Sequence, residues 1–490
     1  MQSSKRNISM MMDLYEMTMA NGYYVSNDSN EMVTFDVFYR KNPDGAGYAI
    51  FAGLEQILEY LENLHFDSKD IEYLDSLGIY NKEFLEWLSK YHFRGSVWAI
   101  PEGTVMYPNE PILTVCAPLI DAQLVETAIL TQINHQSLIA TKTRRIVRAA
   151  GGRNVSDFGA RRAHNIDAAV YGARAAYIGG ASSTATILAG QKFGIPVSGT
   201  MAHSWVMFHK DEYASFKHFA EAYPDNTVLL VDTYDVLKSG VPNAIRVAKE
   251  VLEPMGKRLK GIRLDSGDLA YLSKEARRLL DKAGLNDCKI IASNSLDEFT
   301  IRSILDQGGC IDSFGVGERL ITAKSDPVFG AVYKLVAVHN DRTCQPKIKI
   351  SETFEKITNP GRKRLWRVYD ASGHSIADLL TMANEEPDFS KDYSCIDPQK
   401  PWKTVCFSGC IVKELQEMIM ENGKRLKESP SLQEIRQFVN RQFDTEVWAE
   451  EQRFENPHHH LVTMSHAYYQ MKMDLLKAAQ KNDKKEEVSC

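Results

Sequence analysis

The chain is 490 residues long, too many for one ordinary core, and at ~150 residues per domain it predicts about three folding units. Hydrophobic residues make up 44% and charged residues 25%, a globular balance that excludes wholesale disorder. A net charge of -6 disfavours a dedicated nucleic-acid binder, and no stretch reaches the ~18 apolar residues of a membrane span.

Near the start, Lys5 and Arg6 precede an apolar run that Asp13 and Glu16 interrupt, which makes a poor secretory signal. The eight cysteines (116, 288, 310, 344, 395, 406, 410 and 490) are sparse and form no disulfide framework. That usage points to a reducing, cytoplasmic compartment. Cys406 and Cys410 are spaced C-x3-C with Cys395 nearby, but structural zinc sites usually show tighter ligand pairs, so zinc is the weaker reading there.

In chain order, the pattern predicts a helix over 10–24, a strand over 33–39 and an amphipathic helix over 53–64. Residues 94–115 read as strand-rich, with turns at Pro101-Glu102-Gly103 and around Pro108 and Pro111. Residues 1–120 are thus expected to form an α+β, sandwich-like domain. A helix over 122–149 opens the next segment, 121–330. Seven strand ends follow at a period of about two to three dozen residues, each finishing in polar or glycine residues: 154–159, 177–182, 197–203, 228–233, 261–265, 290–294 and 313–317. Seven such βα units with reactive residues at their ends fit a parallel barrel better than an open sheet, which would gather its chemistry at one switch point. Strands over 332–338, 347–351 and 365–369 are expected to pair with the N-terminal sheet, so that 331–375 completes that domain. Residues 376–490 read as a mixed extension with helices over 432–443 and 464–479 and a charged, solvated tail at 481–487.

Several strand ends can carry chemistry. His203 in Thr200-Met-Ala-His-Ser204 can serve as general base, metal ligand or phosphate acceptor; the bland alternative is a satisfied core histidine. In Gly261-Ile-Arg-Leu-Asp-Ser-Gly-Asp268, Arg263 can fork onto a carboxylate or phosphate, while Asp265 and Asp268 can accept sugar hydroxyls or bind Mg²⁺ through water. The alternative is an ion-paired turn. Gly315-Val-Gly317, followed by Glu318, Arg319 and Thr322, offers backbone N–H groups for a phosphate, or is an ordinary turn. In Asp157-Phe-Gly-Ala-Arg-Arg162, Phe158 can stack on a flat ring while Arg161 or Arg162 meets an anion. Asp232, Thr233 and Asp235 end another strand and can serve a metal or a pyrophosphate through Mg²⁺. His458–His460 read as a surface loop, because adjacent histidines rarely converge on one ion.

Taken together, the motifs beginning at Asp157, Thr200, Gly261 and Gly315 resemble in order and spacing those of the nicotinate phosphoribosyltransferases, with similarity running from Asp13-Leu-Tyr-Glu16 to Val332-Tyr-Lys-Leu-Val336. The resemblance implies an irregular TIM-like α/β barrel with a sandwich-like N-terminal domain and a C-terminal extension. It implies a homodimer with shared active sites, and substrates nicotinate, 5-phosphoribosyl 1-pyrophosphate and ATP, with Mg²⁺ required. By motif match His203 is the phosphohistidine, and Tyr15 from a second copy stacks on the pyridine opposite Phe158. Arg161, Thr200 and Arg263 are the expected nicotinate or phosphate contacts, Asp265 lies near the ribose and Thr322 near the phosphoribosyl group. Glu318 departs from relatives that place a small residue after Gly-Val-Gly. Ser182, in Gly180-Ala-Ser-Ser183, favours a carboxylate substrate over nicotinamide, since an aspartate there would repel an acid. A nicotinamide enzyme and another barrel enzyme acting on phosphorylated sugars are the alternative readings.

Overall fold

In a computed structural model the described residues are 6–340, 343–351 and 356–487, so Lys5 and Cys490 lie outside them. The chain divides into two compact units, 1–138 with 328–490, and 139–327. Among the described residues no helix is long and apolar enough to cross a membrane.

The first unit is built on two main sheets. A seven-stranded antiparallel sheet centres on Met32–Phe38, flanked by Leu113–Pro118 and Val332–His339. Val33, Phe35 and Val37 are buried in the alternation of a half-apolar strand, with Phe35 stacked on Tyr333 at 4.6 Å between ring centroids. The opposite face is buried too. There Asp36 accepts from Thr114 at 2.7 Å and pairs with Lys363, which is how a charged residue survives inside. The expected strand over 347–351 is absent: the edge strand is Cys344–Pro346. Lys363–Tyr369 joins not this sheet but a second, six-stranded one, where it pairs with Ser375–Met382 and Ile411–Glu414.

Two helix expectations also shift. The segment over 122–149 breaks into Leu119–Gln123 and Glu126–Ala149. Met464 and Ser465 end a strand, and the last helix starts at His466.

The histidine run is not wholly a surface loop. His460 is buried, stacked on Tyr107 with ring centroids 3.7 Å apart, its Nδ1 lying 3.0 Å from Glu451 and its Nε2 3.6 Å from Asp378. Arg367 forks onto Asp378 at 2.7 and 2.8 Å. Burial alone would lower the His460 value, but Asp378 and Glu451 outweigh it and raise it. Burial alone would raise the Asp378 carboxyl, but Arg367 outweighs it and holds the group low.

The second unit carries the predicted strand ends. Six parallel strands, β1 (Asn154–Asp157), β2 (Ser183–Thr184), β3 (Val228–Leu230), β4 (Gly261–Leu264), β5 (Lys289–Ser293) and β6 (Ser313–Val316), lie in the order β2-β1-β6-β5-β4-β3. The expected seventh strand is reduced to one bridge, Thr184 to Val197. The expected strand over 177–182 starts instead at Ser183, because Tyr177 and Ile178 still belong to the helix Ile166–Ile178. Parallel βα order is present as expected. A closed barrel is not: among the described residues no ladder joins β3 to β2, and the sheet is open.

Candidate active site

Parallel register puts the carboxyl ends of β1, β4, β5 and β6 side by side. Cross-strand neighbours point the same way, so Ser183, Ser156, Gly315 and Ser293 form one row on one face. Arg263 on β4 pairs in register with Ile291, two residues before Ser293, so it projects onto that face, and it donates to Ser293 Oγ at 2.8 Å.

Arg263 is the hub. Its Nη1 donates to Thr200 Oγ1 at 3.1 Å and its Nη2 to Asp265 Oδ1 at 3.0 Å. Ser293 also donates to Asp265 Oδ1. The other oxygen, Oδ2, lies 3.7 Å from His203 Nε2. His203 Nδ1 lies 3.0 Å from Thr233 Oγ1. Asp232 Oδ2 accepts from the Asp265 N–H at 3.0 Å and from Ser266 Oγ at 2.6 Å, fixing the turn that aims Asp265. The guanidinium carbon of Arg263 lies 5.4 Å from the centre of the Phe158 ring. Thr200, His203, Arg263, Asp265 and Phe158, drawn from three separate stretches of chain, therefore meet in one network.

Phe158 is aimed by what surrounds it. Its N–H donates to the Val316 carbonyl at 2.8 Å, and its ring lies against Gly315. Asp157 is buried, accepting from Gly159 N–H and Thr184 Oγ1, both at 2.8 Å. Burial raises its carboxyl value despite those donors. Gly159 permits close packing, because a Cβ there would stand 2.5 Å from Ile321 Cβ.

The remaining predicted residues stand further from this network or do other work. Arg161 is exposed on a short 3-10 turn. Asp268 is exposed and caps the helix Leu269–Lys282, accepting from Tyr271 N–H at 3.0 Å. Gly317 precedes a helix of four residues, Glu318–Ile321, and Thr322 Oγ1 donates back to the Glu318 carbonyl at 2.8 Å. Ser182 Oγ donates to the Val155 carbonyl at 3.0 Å, a hydroxyl committed to backbone. Its neighbour Ser183 instead links Ser156 at 2.8 Å and Ser198 at 2.7 Å in a chain of three hydroxyls. Tyr15 belongs to the first unit, on the helix Leu14–Val25, and is 43% exposed. Burial and the nearby Glu126 and Glu16 push its phenol up.

Sequence reasoning missed Ser293, Ser183 and Ser198. A lone serine at a strand end is a common residue, and only strand pairing brings these to the site. Among the described residues no three His, Cys, Asp or Glu side chains are grouped to hold a metal ion, so the zinc alternative at Cys395, Cys406 and Cys410 finds no geometry.

Comparisons with known proteins find likeness along nearly the whole chain. Family-level sequence models match residues 10–134 (nicotinate phosphoribosyltransferase N-terminal domain), 153–392 (nicotinate phosphoribosyltransferase family) and 362–472 (nicotinate phosphoribosyltransferase C-terminal domain). The nicotinate phosphoribosyltransferase of Bacillus subtilis is 44% identical over 471 residues, covering 95% of both chains. That of Caenorhabditis elegans is 34% identical over 523 residues, covering 94% of this chain and 92% of its own. The crystal structure of human nicotinic acid phosphoribosyltransferase superimposes with a TM-score of 0.85 at 28% identity, over 95% of this chain and 100% of that one. With the motifs, the strand-end network and these likenesses in agreement, the chain belongs to the nicotinate phosphoribosyltransferase family.

Proposed function

We propose that this enzyme joins nicotinate to 5-phosphoribosyl 1-pyrophosphate in the cytoplasm, giving nicotinate mononucleotide and diphosphate, with ATP hydrolysis coupled through a phosphorylated His203. The observation that carries the reading is the continuous network from Phe158 through Arg263 and Asp265 to His203. It holds a flat apolar face, a fixed cation, a carboxylate and a nucleophilic ring within one network.

Phe158 offers one face to the pyridine, and Tyr15 of the partner subunit of a homodimer covers the other, which holds the ring nitrogen in line for attack. Arg263 and Thr200 meet the substrate's carboxylate or phosphate. As the diphosphate departs, positive charge builds on the ribose anomeric carbon, and Asp265 offsets it. Arg161, Gly315, Gly317 and Thr322 serve the phosphate end, with Asp268 setting the helix beside it. The adjacent carboxyl ends of the parallel strands supply the common edge for these groups.

Mg²⁺ fits one feature of the site. Asp232 Oδ1 is buried without a hydrogen-bond partner, and a hard carboxylate oxygen is what this ion prefers. Asp232 would hold it together with substrate phosphate oxygens and water. When bound, the ion neutralises charge on the leaving diphosphate.

Acid preference, expected at Ser182, we assign to the hydroxyl chain of Ser156, Ser183 and Ser198. Hydroxyls can rotate to donate to a carboxylate.

The test is product analysis with the purified chain, nicotinate, 5-phosphoribosyl 1-pyrophosphate and ATP. Nicotinate mononucleotide should form, fall when ATP is omitted, and fall again in His203→Ala. Equal use of nicotinamide, or no pyridine nucleotide at all, would refute the reading.

A further inference from the structure

His203 opens a short helix, α1 (His203–Phe208), and its side chain is 41% exposed, so an incoming group can reach the ring. Two groups face that ring. Nε2 faces Asp265 Oδ2 at 3.7 Å, and Nδ1 faces Thr233 Oγ1 at 3.0 Å. Asp265 already accepts from Arg263 and from Ser293, as an ionised carboxylate does. An ionised carboxylate can only accept, so a neutral imidazole turns its N–H, on Nε2, towards Asp265. The ring's lone pair then lies on Nδ1, and the Thr233 hydroxyl is the donor to it.

We propose that Thr233 is a positioning residue for phosphoryl transfer to His203: its hydroxyl holds the imidazole with the Nδ1 lone pair formed and aimed, then yields that nitrogen to phosphorus. This rests on His203 being the phosphoryl acceptor. In the step, the Nδ1 lone pair forms the N–P bond to the terminal phosphorus of ATP while the bridging P–O bond breaks. ADP leaves with the electron pair. The proton on Nε2 stays on the ring, and Asp265 faces the positive charge that develops. Thr233 neither gains nor loses a proton, and its freed hydroxyl can donate to a phosphoryl oxygen. A neutral hydroxyl suits this role, because its hydrogen bond to Nδ1 is easily exchanged, whereas a cation there would hold the lone pair.

Thr233→Val keeps the shape and removes the hydroxyl, and Thr233→Ser keeps the hydroxyl. With full-length protein and ATP labelled at its terminal phosphate, Thr233→Val should slow acid-labile labelling of the protein about 10- to 100-fold. Its KM for nicotinate should stay within about twofold of the wild type, while Thr233→Ser recovers labelling to within about threefold. Labelling of Thr233→Val at the wild-type rate overturns the proposal. So does a Thr233→Ser variant as slow as Thr233→Val, or a loss that follows a lowered melting temperature in both variants. Failure of the underlying reading looks different: the wild type itself takes up no label, and His203→Ala keeps its response to ATP.

Discussion

Gly315 lies directly beneath Phe158: a Cβ added to the glycine would stand 2.4 Å from Cε2 of the ring. No side chain other than hydrogen leaves room for the aromatic face. The strand β6 therefore sets the height of the Phe158 ring.

Gly315→Ala should displace Phe158 and leave the strand intact. Overpacking of this kind costs about 1–3 kcal/mol, roughly 5- to 150-fold in nicotinate binding. The expected result is a raised KM for nicotinate with a smaller change for 5-phosphoribosyl 1-pyrophosphate. Steady-state kinetics with each substrate varied would show it; equal effects on both would mean that the ring does not position the pyridine.

The two adjacent serines make unequal predictions. Ser183 lies in the row with Ser156 and Gly315, whereas the Ser182 hydroxyl is held by the Val155 carbonyl. Ser183→Asp should lower kcat/KM for nicotinate about 10- to 100-fold by placing a carboxylate against a carboxylate. Ser182→Asp should act more weakly. Competition between nicotinate and nicotinamide measures both, and the reverse order of effects would return the role to Ser182.

Exposed apolar side chains bear on the proposed homodimer. Phe208 is 85% exposed and Met207 66%, next to one another on α1, with Ile187 79% exposed on the helix Ile187–Phe193. Side chains of this size favour a covered position. Phe208→Asp is expected to shift the protein from dimer to monomer in light scattering, with a fall in activity that tracks the loss of dimer. A dimer unchanged by the substitution would remove Phe208 from the interface.

His460 predicts a pH dependence. Its folded value is raised above the unfolded ~6.5, so its stabilisation is complete below that pH and is lost as pH rises through the folded value. The Asp378 carboxyl is lowered, so its stabilisation is present above ~3.9 and is lost only in acid. His460→Gln should therefore lower the melting temperature most between about pH 5 and 6 and less by about pH 9. Thermal melts of both proteins across that range check it, and a deficit that does not change with pH would contradict the pairing.

Much of the candidate network was legible in the sequence, because glycine and charged residues clustered at strand ends stand out against apolar strands. Thr200-Met-Ala-His-Ser204 and Arg263 to Asp268 were visible in this way. His460 was misread because adjacency along a chain says nothing of a partner such as Tyr107, which supplies the ring that buries it. The strand over 365–369 was legible as a strand, but its sheet was not, since an apolar alternation does not name the strand that it pairs with.

Residue chemistry, the order of the βα units and the candidates for reactive side chains were determined by the sequence alone. Tertiary structure decided which of them face one another: Ser183 rather than Ser182, Thr233 against His203, Ser293 between Arg263 and Asp265. The physical reason is parity. Successive residues of a strand point to opposite faces, and a one-residue change of register exchanges them. Which face meets the site is set by hydrogen bonds to strands dozens of residues away, and no local pattern carries that information.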